Sequence, residues 1–354
     1  AVENMYSFFK AMKVYNADSS SFTGKPKLPG YKKSGGKTTV FFTNQVCSVI
    51  GTDNGFELKF PYTKKRLELG KNLPEEIRLK QVTVKPYHDI FTVSIVLSDD
   101  KDAPEETFPE PNRICAIDLG VNNFAAITNN IGQPCLLFKG GIVKSANQWY
   151  NKKCAQIQSE QTAGTQEKFQ STPEYRRICI KRHNILEDFM HKTAKKIVLW
   201  CRDNSVDTIV VGHTKGWKQE SSMGKKNNQE FVQIPFHRFQ FILQYQCTFH
   251  GIRYVLQEES YTSKASFMMM DEIPVYGQKN ADRIKFSGSR SPKRFRNMHS
   301  SRGFRGLYKN KDGSFVNSDL NGSANIGRKA FPDLFTKDTV DLSHVCVFKH
   351  PSYM

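Results

Sequence analysis

The sequence is poor in acidic side chains relative to basic ones. Its 354 residues include 34 Asp and Glu against 52 Lys and Arg, which gives a formal net charge of +18. Because uniform positive charge repels itself and weakens a compact state, this excess indicates association with a polyanion. A generically basic protein is the simpler alternative, since basicity concerns association and not fold.

Long apolar runs are also lacking. No window approaches about 18 consecutive apolar residues, and the N-terminal stretch AVENMYSFFKAMK has no apolar core followed by a cleavage site, as a signal peptide would. We therefore expect a cytoplasmic protein, nucleoid-associated in a prokaryote, without a membrane partner. The chain starts without methionine inside a predicted helix, so we also expect that N-terminal sequence is missing.

Paired cysteines of the CxxC type, which would indicate a structural zinc site, do not occur. The eight cysteines stand singly, several of them within apolar strand or helix patterns. We interpret them as buried thiols in a reducing compartment and predict no zinc.

Composition and periodicity divide the chain into five predicted segments. The first has helical spacing, the second has short alternating strands typical of a small β-barrel or sandwich, and buried strands with amphipathic helices follow. A Lys- and Arg-rich stretch with interleaved aromatic residues comes before the last segment. The segments are a helical element (1–15), a β-rich part (16–112), an α/β part (113–261, with a helical insert at 144–205), a basic insert (262–316) and the end of the α/β part (317–354).

Acidic side chains lie at the ends of three predicted elements in the α/β part. Asp118 ends the strand RICAID, and Glu258 and Glu259 end the strand IRYVLQ. Asp319 lies in NSDLNGSANIGRKAF, which has the pattern of a helix start. A lone acid at a helix start is usually a cap, and one at a strand end is usually solvated. Together, however, such acids could supply the oxygen ligands with which two Mg²⁺ ions clamp a phosphodiester.

The order of these motifs resembles the RuvC nuclease domain of the TnpB proteins, and also the related Fanzor proteins and type V CRISPR effectors. The likeness rests on Asp-Leu-Gly at 118–120, Tyr-Thr-Ser at 261–263 and Asp-Leu-Asn-Gly at 319–322. GWKQ and QIPFHRFQFILQYQCTFHGIRYV also fit, and YSFFKAMK and GKPKLPGYK are more loosely similar. The resemblance implies an α/β RNase H-like (RuvC) nuclease domain with helical and basic target-binding insertions, preceded by a β-barrel wedge domain and the end of a helical recognition lobe.

The resemblance implies an RNA-guided DNA endonuclease. Such a protein binds a guide RNA and cleaves complementary target DNA by two-metal-ion hydrolysis with Mg²⁺, and we expect a monomer. Whether it is transposon-encoded or a compact type V CRISPR effector stays open. A nuclease-inactive, RNA-guided DNA-binding transcriptional repressor is the nearest alternative, and the presence of all three acids disfavours it.

Three further classes are alternatives, and the third of them uses the same carboxylate chemistry. An actin-like kinase would need glycine-rich phosphate loops that are not found. A plain RNA-binding module would leave the acids unexplained. A DNA transposase would join strands as well as cut them.

The chain departs from the family pattern at the middle acid and in the basic insert. In many members the glutamate follows the strand that here reads DTIVVGHT, where this chain has Gly212 and His213. Other members carry it three residues before the Thr of Tyr-Thr-Ser, which corresponds to Glu259. The resemblance therefore implies Asp118, Glu259 and Asp319 as catalytic metal ligands, with Glu259 favoured over Glu258.

The basic insert lacks the CxxC pairs that family members usually place there. We expect it to contact nucleic acid through cations and aromatic rings without zinc. Together with lysines near the β-rich part, the predicted nucleic-acid contacts are Lys25, Lys27, Tyr31, Lys32, Lys33, Lys264, Arg290, Lys293, Arg294, Arg296, Arg302 and Arg305.

Overall fold

The chain forms two compact units, Ala1–Lys101 and Asp102–Met354. The computed structural model describes residues 2–30, 36–71, 73, 78–98, 108, 110–163, 169–213, 233–279, 281–290 and 306–351. The five finer segment boundaries stay predictions.

The first unit contains one helix and two three-stranded antiparallel sheets. Its elements are α1 (Val2–Ala17), β1 (Val40–Thr43), β2 (Ser48–Thr52), β3 (Gly55–Lys59), β4 (Arg66–Gly70), β5 (Arg78–Tyr87) and β6 (Ile90–Ser98). The sheets β1-β5-β6 and β2-β3-β4 share one hydrophobic cluster that includes Leu58 and Val82. No strand pairing joins the two sheets in the described part of this unit, so a closed wedge barrel stays a prediction.

The second unit is built on a six-stranded mixed sheet in the order β11-β10-β7-β8-β9-β15. The strands of this unit are β7 (Ile114–Leu119), β8 (Asn123–Asn129), β9 (Cys135–Lys139), β10 (Thr208–His213), β11 (Arg253–Glu258), β12 (Ser289–Arg290), β13 (Leu307–Lys309), β14 (Phe315–Asn317) and β15 (Val345–Phe348). Strand β8 is antiparallel to β7 and β9, and the other pairings in the large sheet are parallel. This sheet confirms the α/β part of the fold prediction.

Helices cover both faces of the sheet. They are α2 (Gly141–Thr162), α3 (Pro173–Asp203), α4 (Phe236–Phe249) and α5 (Ser318–Ala330). Along β7, Cys115 and Ile117 pack with residues of α3 and α4, whereas Ile114 and Ala116 pack with residues of α5. Because successive side chains of a strand point to opposite faces, the next side chain in the second series, Asp118, lies on the α5 face.

The cysteines are free, and seven of the eight are buried. Burial is therefore confirmed for all but Cys346, which lies on the edge strand β15 and is exposed. None of the helices in the described ranges is both long and apolar enough to cross a membrane.

Candidate active site

Asp118 ends strand β7 and lies against helix α5. A Cβ added at Gly322 of α5 would come within 2.8 Å of Asp118 Oδ2. The glycine of the Asp-Leu-Asn-Gly motif thus leaves room for the carboxylate beside the helix. The apolar strand fixes the backbone at Asp118, and the missing side chain at position 322 lets the carboxyl group approach.

Glu259 directly follows strand β11, beside the end of β10. Its backbone N–H donates to the carbonyl of His213 at 3.3 Å. Its buried oxygen Oε2 occupies the space that a Cβ at Gly212 would need. The carboxylate of Glu259 therefore lies where a side chain at position 212 would be.

Asp319 lies in the first turn of α5, and the predicted helix start is confirmed. Asn317 caps the helix, because its Oδ1 accepts from the N–H groups of Asp319 at 3.0 Å and Leu320 at 3.2 Å. Asn123 Nδ2 donates to Asp319 Oδ2 at 2.7 Å. On the other side, Arg290 Nη2 is 3.6 Å from Asp319 Oδ1.

Asp118 is buried and feels the charges of the other two predicted acids. Burial raises the pKa of Asp118 well above its ordinary value, and the carboxylates of Glu259 and Asp319 raise it further. The Arg290 guanidinium opposes these effects in part. Like charges at this range disfavour simultaneous ionisation. The structure therefore brings together acids that are far apart in sequence, and Glu259, not Glu258, is the glutamate that acts on Asp118.

The donor chemistry of these acids fits a divalent cation. Carboxylate oxygens are the ligands that Mg²⁺ prefers, and a cation would relieve the repulsion that raises the pKa of Asp118. Within the ranges that the structure describes, no three His, Cys, Asp or Glu side chains are already arranged around one ion position. A bound cation would compete with Arg290 for the Asp319 carboxylate.

Two buried amides of α5 hold the loop that follows Glu259. Asn321 Nδ2 donates to the Ala265 carbonyl at 2.8 Å, and its Oδ1 accepts from the Phe267 N–H at 2.9 Å. Asn325 Nδ2 donates to the Thr262 carbonyl at 2.8 Å. The Asp-Leu-Asn-Gly and Tyr-Thr-Ser motifs therefore occur together for a structural reason: the helix that carries Asp319 also fixes the loop after Glu259.

The Glu258 side chain makes contacts that stabilise the fold. Its carboxylate forms an ion pair with Lys329 of α5 and accepts from the Ser260 N–H. Burial alone would raise the pKa of Glu258, but the hydrogen bonds from Lys329 and Ser260 outweigh it and lower the pKa. Glu258 thus contacts α5 through Lys329, whereas the carboxylate of Glu259, which follows the end of the strand, lies beside Gly212.

We expect Glu258→Gln to lower the free energy of unfolding by about 1–2 kcal/mol, because it leaves the Lys329 ammonium, only 11% exposed, without its counter-charge. The pKa of Glu258 is depressed in the folded state, so its contribution is present above the unfolded-state pKa and is lost as pH falls through the folded-state pKa. Urea unfolding at pH 7 and at pH 3 measures both effects. Glu272→Gln, at an exposed site, is the control, and an equal effect of both variants would contradict this role.

Four of the twelve predicted nucleic-acid contacts lie within the described residues. Lys25 and Lys27 are exposed in the first unit. Lys264 is exposed in the loop after Glu259, with Nζ 5.4 Å from the centre of the Tyr261 ring. Arg290 lies beside the acids, a position that its sequence context did not indicate. The others lie outside the described residues: Tyr31, Lys32, Lys33, Lys293, Arg294, Arg296, Arg302 and Arg305.

Two further side chains at the site are not predicted from the sequence. Asn123 contacts Asp319, and Lys139 Nζ donates to Asn123 Oδ1 at 2.7 Å. Asn123 follows directly on the DLGVN segment, but an asparagine after a strand is ordinarily interpreted as a turn residue. No local sequence pattern marks Lys139 as part of the site, because only the pairing of β8 with β9 brings it to Asn123.

Comparison with known proteins gives one family and several solved structures. Residues 94–218 match the OrfB_IS605 family model, described as a probable transposase. None of the curated proteins matches the chain. A solved complex of Cas12f1 with sgRNA and target DNA is similar at 14% identity and TM-score 0.45, over 71% of this chain and 45% of that one.

Two other solved structures are similar over smaller shares. A CRISPR-Cas12f ternary complex has 14% identity and TM-score 0.42, over 70% of this chain and 45% of that chain. The C2c1 protein of Alicyclobacillus acidoterrestris with single-guide RNA has 11% identity and TM-score 0.35, over 55% of this chain and 20% of that chain. This chain spans less than half the length of each of these solved proteins.

Proposed function

We propose that this chain, which matches the OrfB_IS605 family over residues 94–218 and resembles the TnpB proteins in its motifs, is an RNA-guided DNA endonuclease. The matched residues include the Asp-Leu-Gly motif, and the resemblance in Tyr-Thr-Ser and Asp-Leu-Asn-Gly adds to it from residues that follow the match. The proposal includes Mg²⁺-dependent hydrolysis, a guide RNA and a complementary target DNA.

One observation carries the proposal: Asp118 lies against Gly322 of helix α5, Asp319 lies in the first turn of the same helix, and the carboxylate of Glu259 fills the space beside Gly212 at the end of the neighbouring strand. A solvated acid or a simple helix cap would not need such neighbours. The strand order supports the same assignment, because β11-β10-β7-β8-β9 with β8 antiparallel is the arrangement expected of an RNase H-like domain.

In this proposal the three acids hold Mg²⁺, which supplies Lewis acidity at the phosphodiester. The chain itself orients the ligands: Gly322 admits the Asp118 carboxylate, Gly212 admits that of Glu259, and Asn123 holds Asp319. Arg290 exchanges its contact with Asp319 for a phosphate, since a guanidinium pairs well with phosphate oxygens.

The partners follow from charge as well as from the resemblance. A net charge of +18 suits a protein that lies against guide and target phosphates, and binding of this kind weakens as salt rises. We propose a monomer in the cytoplasm of a prokaryote. The identity of the RNA would separate a transposon origin from a CRISPR origin.

Sequencing of the RNA that copurifies with the full chain, followed by cleavage assays, tests this function. DNA complementary to the guide segment of that RNA is expected to be cut with Mg²⁺ and to stay intact with EDTA. DNA of unrelated sequence is the control and is expected to stay intact. Specific DNA binding without cleavage would instead support the repressor alternative, and RNA binding alone would support a binding module.

A further inference from the structure

We propose that Lys139 and Asn123 form a positioning relay for Asp319: Lys139 fixes the orientation of the Asn123 amide, and the amide in turn fixes the Asp319 carboxylate. The proposal rests on the proposed function, because it concerns how Asp319 presents itself to a divalent cation. Neither relay residue is proposed to contact the cation or the substrate.

Two short hydrogen bonds connect the relay. Lys139 Nζ donates to Asn123 Oδ1 at 2.7 Å, and Asn123 Nδ2 donates to Asp319 Oδ2 at 2.7 Å. Lys139 and Asn123 are directly paired across β8 and β9, so the sheet register holds them opposite each other. Asn123 is only 6% exposed, and a buried amide needs both of its partners.

The hydrogen bond from Lys139 determines which end of the Asn123 amide is the oxygen and which is the NH₂ group. An ammonium can only donate, so the oxygen of Asn123 must face Lys139 and the NH₂ group must face Asp319. An ionised carboxylate only accepts hydrogen bonds, so the NH₂ group of Asn123 can donate to Asp319. If Lys139 were lost, the amide could turn its oxygen toward Asp319, and that contact would become repulsive.

The relay distinguishes the two oxygens of Asp319. Oδ2 accepts from Asn123 at 2.7 Å, whereas Oδ1 accepts from the Ser318 hydroxyl at the longer distance of 3.3 Å and faces Arg290 Nη2 at 3.6 Å. Because its contacts are the longer ones, Oδ1 is the oxygen offered to a divalent cation. The helix cap at Asn317 fixes the backbone of Asp319, and the relay fixes its side chain. Partners that orient metal ligands in this way typically affect metal affinity by about 10–100-fold.

A neighbouring pair of the same type provides a matched control. Lys144 Nζ donates to Asn122 Oδ1 at 2.9 Å in an exposed position next to the relay. Lys144→Met therefore removes the same kind of Lys–Asn hydrogen bond and the same charge as Lys139→Met. The two variants differ in the asparagine that loses its lysine: Asn123 also donates a hydrogen bond to Asp319 of the site, and Asn122 is its neighbour in the chain.

The experiment measures cation binding by the full chain as well as its cleavage of guide-matched DNA. Mn²⁺ is titrated into the chain by calorimetry, and Mg²⁺ is titrated in the cleavage assay. For Lys139→Met we expect the Mn²⁺ dissociation constant and the half-saturating Mg²⁺ concentration to rise by about 10-fold. Lys139→Arg, which keeps a donor, is expected to recover most of the loss, and Lys144→Met is expected to match the unmodified chain.

A double-mutant cycle tests whether the two residues act as one unit. Asn123→Leu is expected to weaken Mn²⁺ binding at least as much as Lys139→Met, and the double variant no more than Asn123→Leu alone. Additive effects would overturn the relay, and so would equal behaviour of Lys139→Met and Lys144→Met. If either variant does not fold, as judged by thermal unfolding, the other one and Lys139→Arg carry the test.

Failure of the relay is distinguishable from failure of the proposed function. Asp319→Ala is titrated with Mn²⁺ beside the other variants. Loss of binding in Asp319→Ala with normal binding in Lys139→Met would overturn only the relay. Unchanged Mn²⁺ binding in Asp319→Ala would remove the metal site on which both proposals depend.

Discussion

Asp118→Asn is expected to reduce cleavage of guide-matched DNA by about 1,000-fold or more, the largest functional loss that we expect from one side chain. A bound metal ion contributes several kcal/mol of transition-state stabilisation, and about 4 kcal/mol corresponds to about 1,000-fold in rate. Asn keeps the shape of the side chain but removes its charge. RNA binding and target DNA binding are expected to stay within about 2-fold, because in the proposed function Asp118 holds cations and not the nucleic acid itself.

The same substitution is expected to stabilise the metal-free protein at neutral pH. The pKa of Asp118 is raised in the folded state, so ionisation at higher pH disfavours folding. Each pKa unit of this kind is worth about 1.4 kcal/mol. The advantage of Asn is therefore expected above the folded-state pKa and is expected to disappear as pH falls to the unfolded-state pKa. Thermal unfolding in EDTA across pH 4–8 measures it.

Asp338→Asn is the control for both effects. Asp338 is an exposed acid, so its removal changes the net charge equally and is expected to alter neither cleavage nor the pH profile of stability. Full cleavage by Asp118→Asn would show that the site is wrongly assigned. A loss of stability in EDTA at neutral pH would show that Asp118 does not experience the repulsion described here.

Local sequence patterns predict the elements that carry the site. Strands β7, β10 and β11 are apolar and short, and α5 starts with a strong capping asparagine, so each can be recognised without tertiary information. Strand β4 escapes prediction because RLELG is mostly exposed. Strand β15 escapes because its place in the sheet depends on parallel pairing with β9, which lies far away in sequence.

The site residues, like the strands and helices, are predictable only where the signal is local in sequence. The three acids can be proposed from their positions at element ends and from the family motifs. The contacts that position them cannot, because Asn123 and Asp319 are 196 residues apart and no local pattern links them. Gly212 is the clearest example. In the sequence it is one of two residues, with His213, at the place where many family members have a glutamate. In the structure its lack of a side chain leaves room for the Glu259 carboxylate.

Gly212→Ala is expected to lower cleavage by about 100-fold. An added Cβ would overlap Glu259 Oε2 and come within 2.6 Å of Ile326 Cδ1, so the carboxylate has to move. A displacement of about 1 Å at a catalytic group can cost about 100-fold in rate. The rate of guide-matched cleavage at saturating Mg²⁺ measures it. Gly51→Ala is the control, since Gly51 also lies in a strand but a Cβ there would meet nothing within 4 Å.

Moving the carboxylate from position 259 to position 212 tests directly whether the two positions can supply the same ligand. Gly212→Glu alone would place two glutamates in one space, and Glu259→Gly alone would leave the space without a carboxylate, so each is expected to be nearly inactive. The double variant supplies one carboxylate from the strand position that many family members use and removes the other. We expect it to cleave at least about 10-fold faster than either single variant. Because a purely steric role for Gly212 predicts no such recovery, a double variant as inactive as the single ones would show that position 212 and Glu259 do not serve the same ligand place.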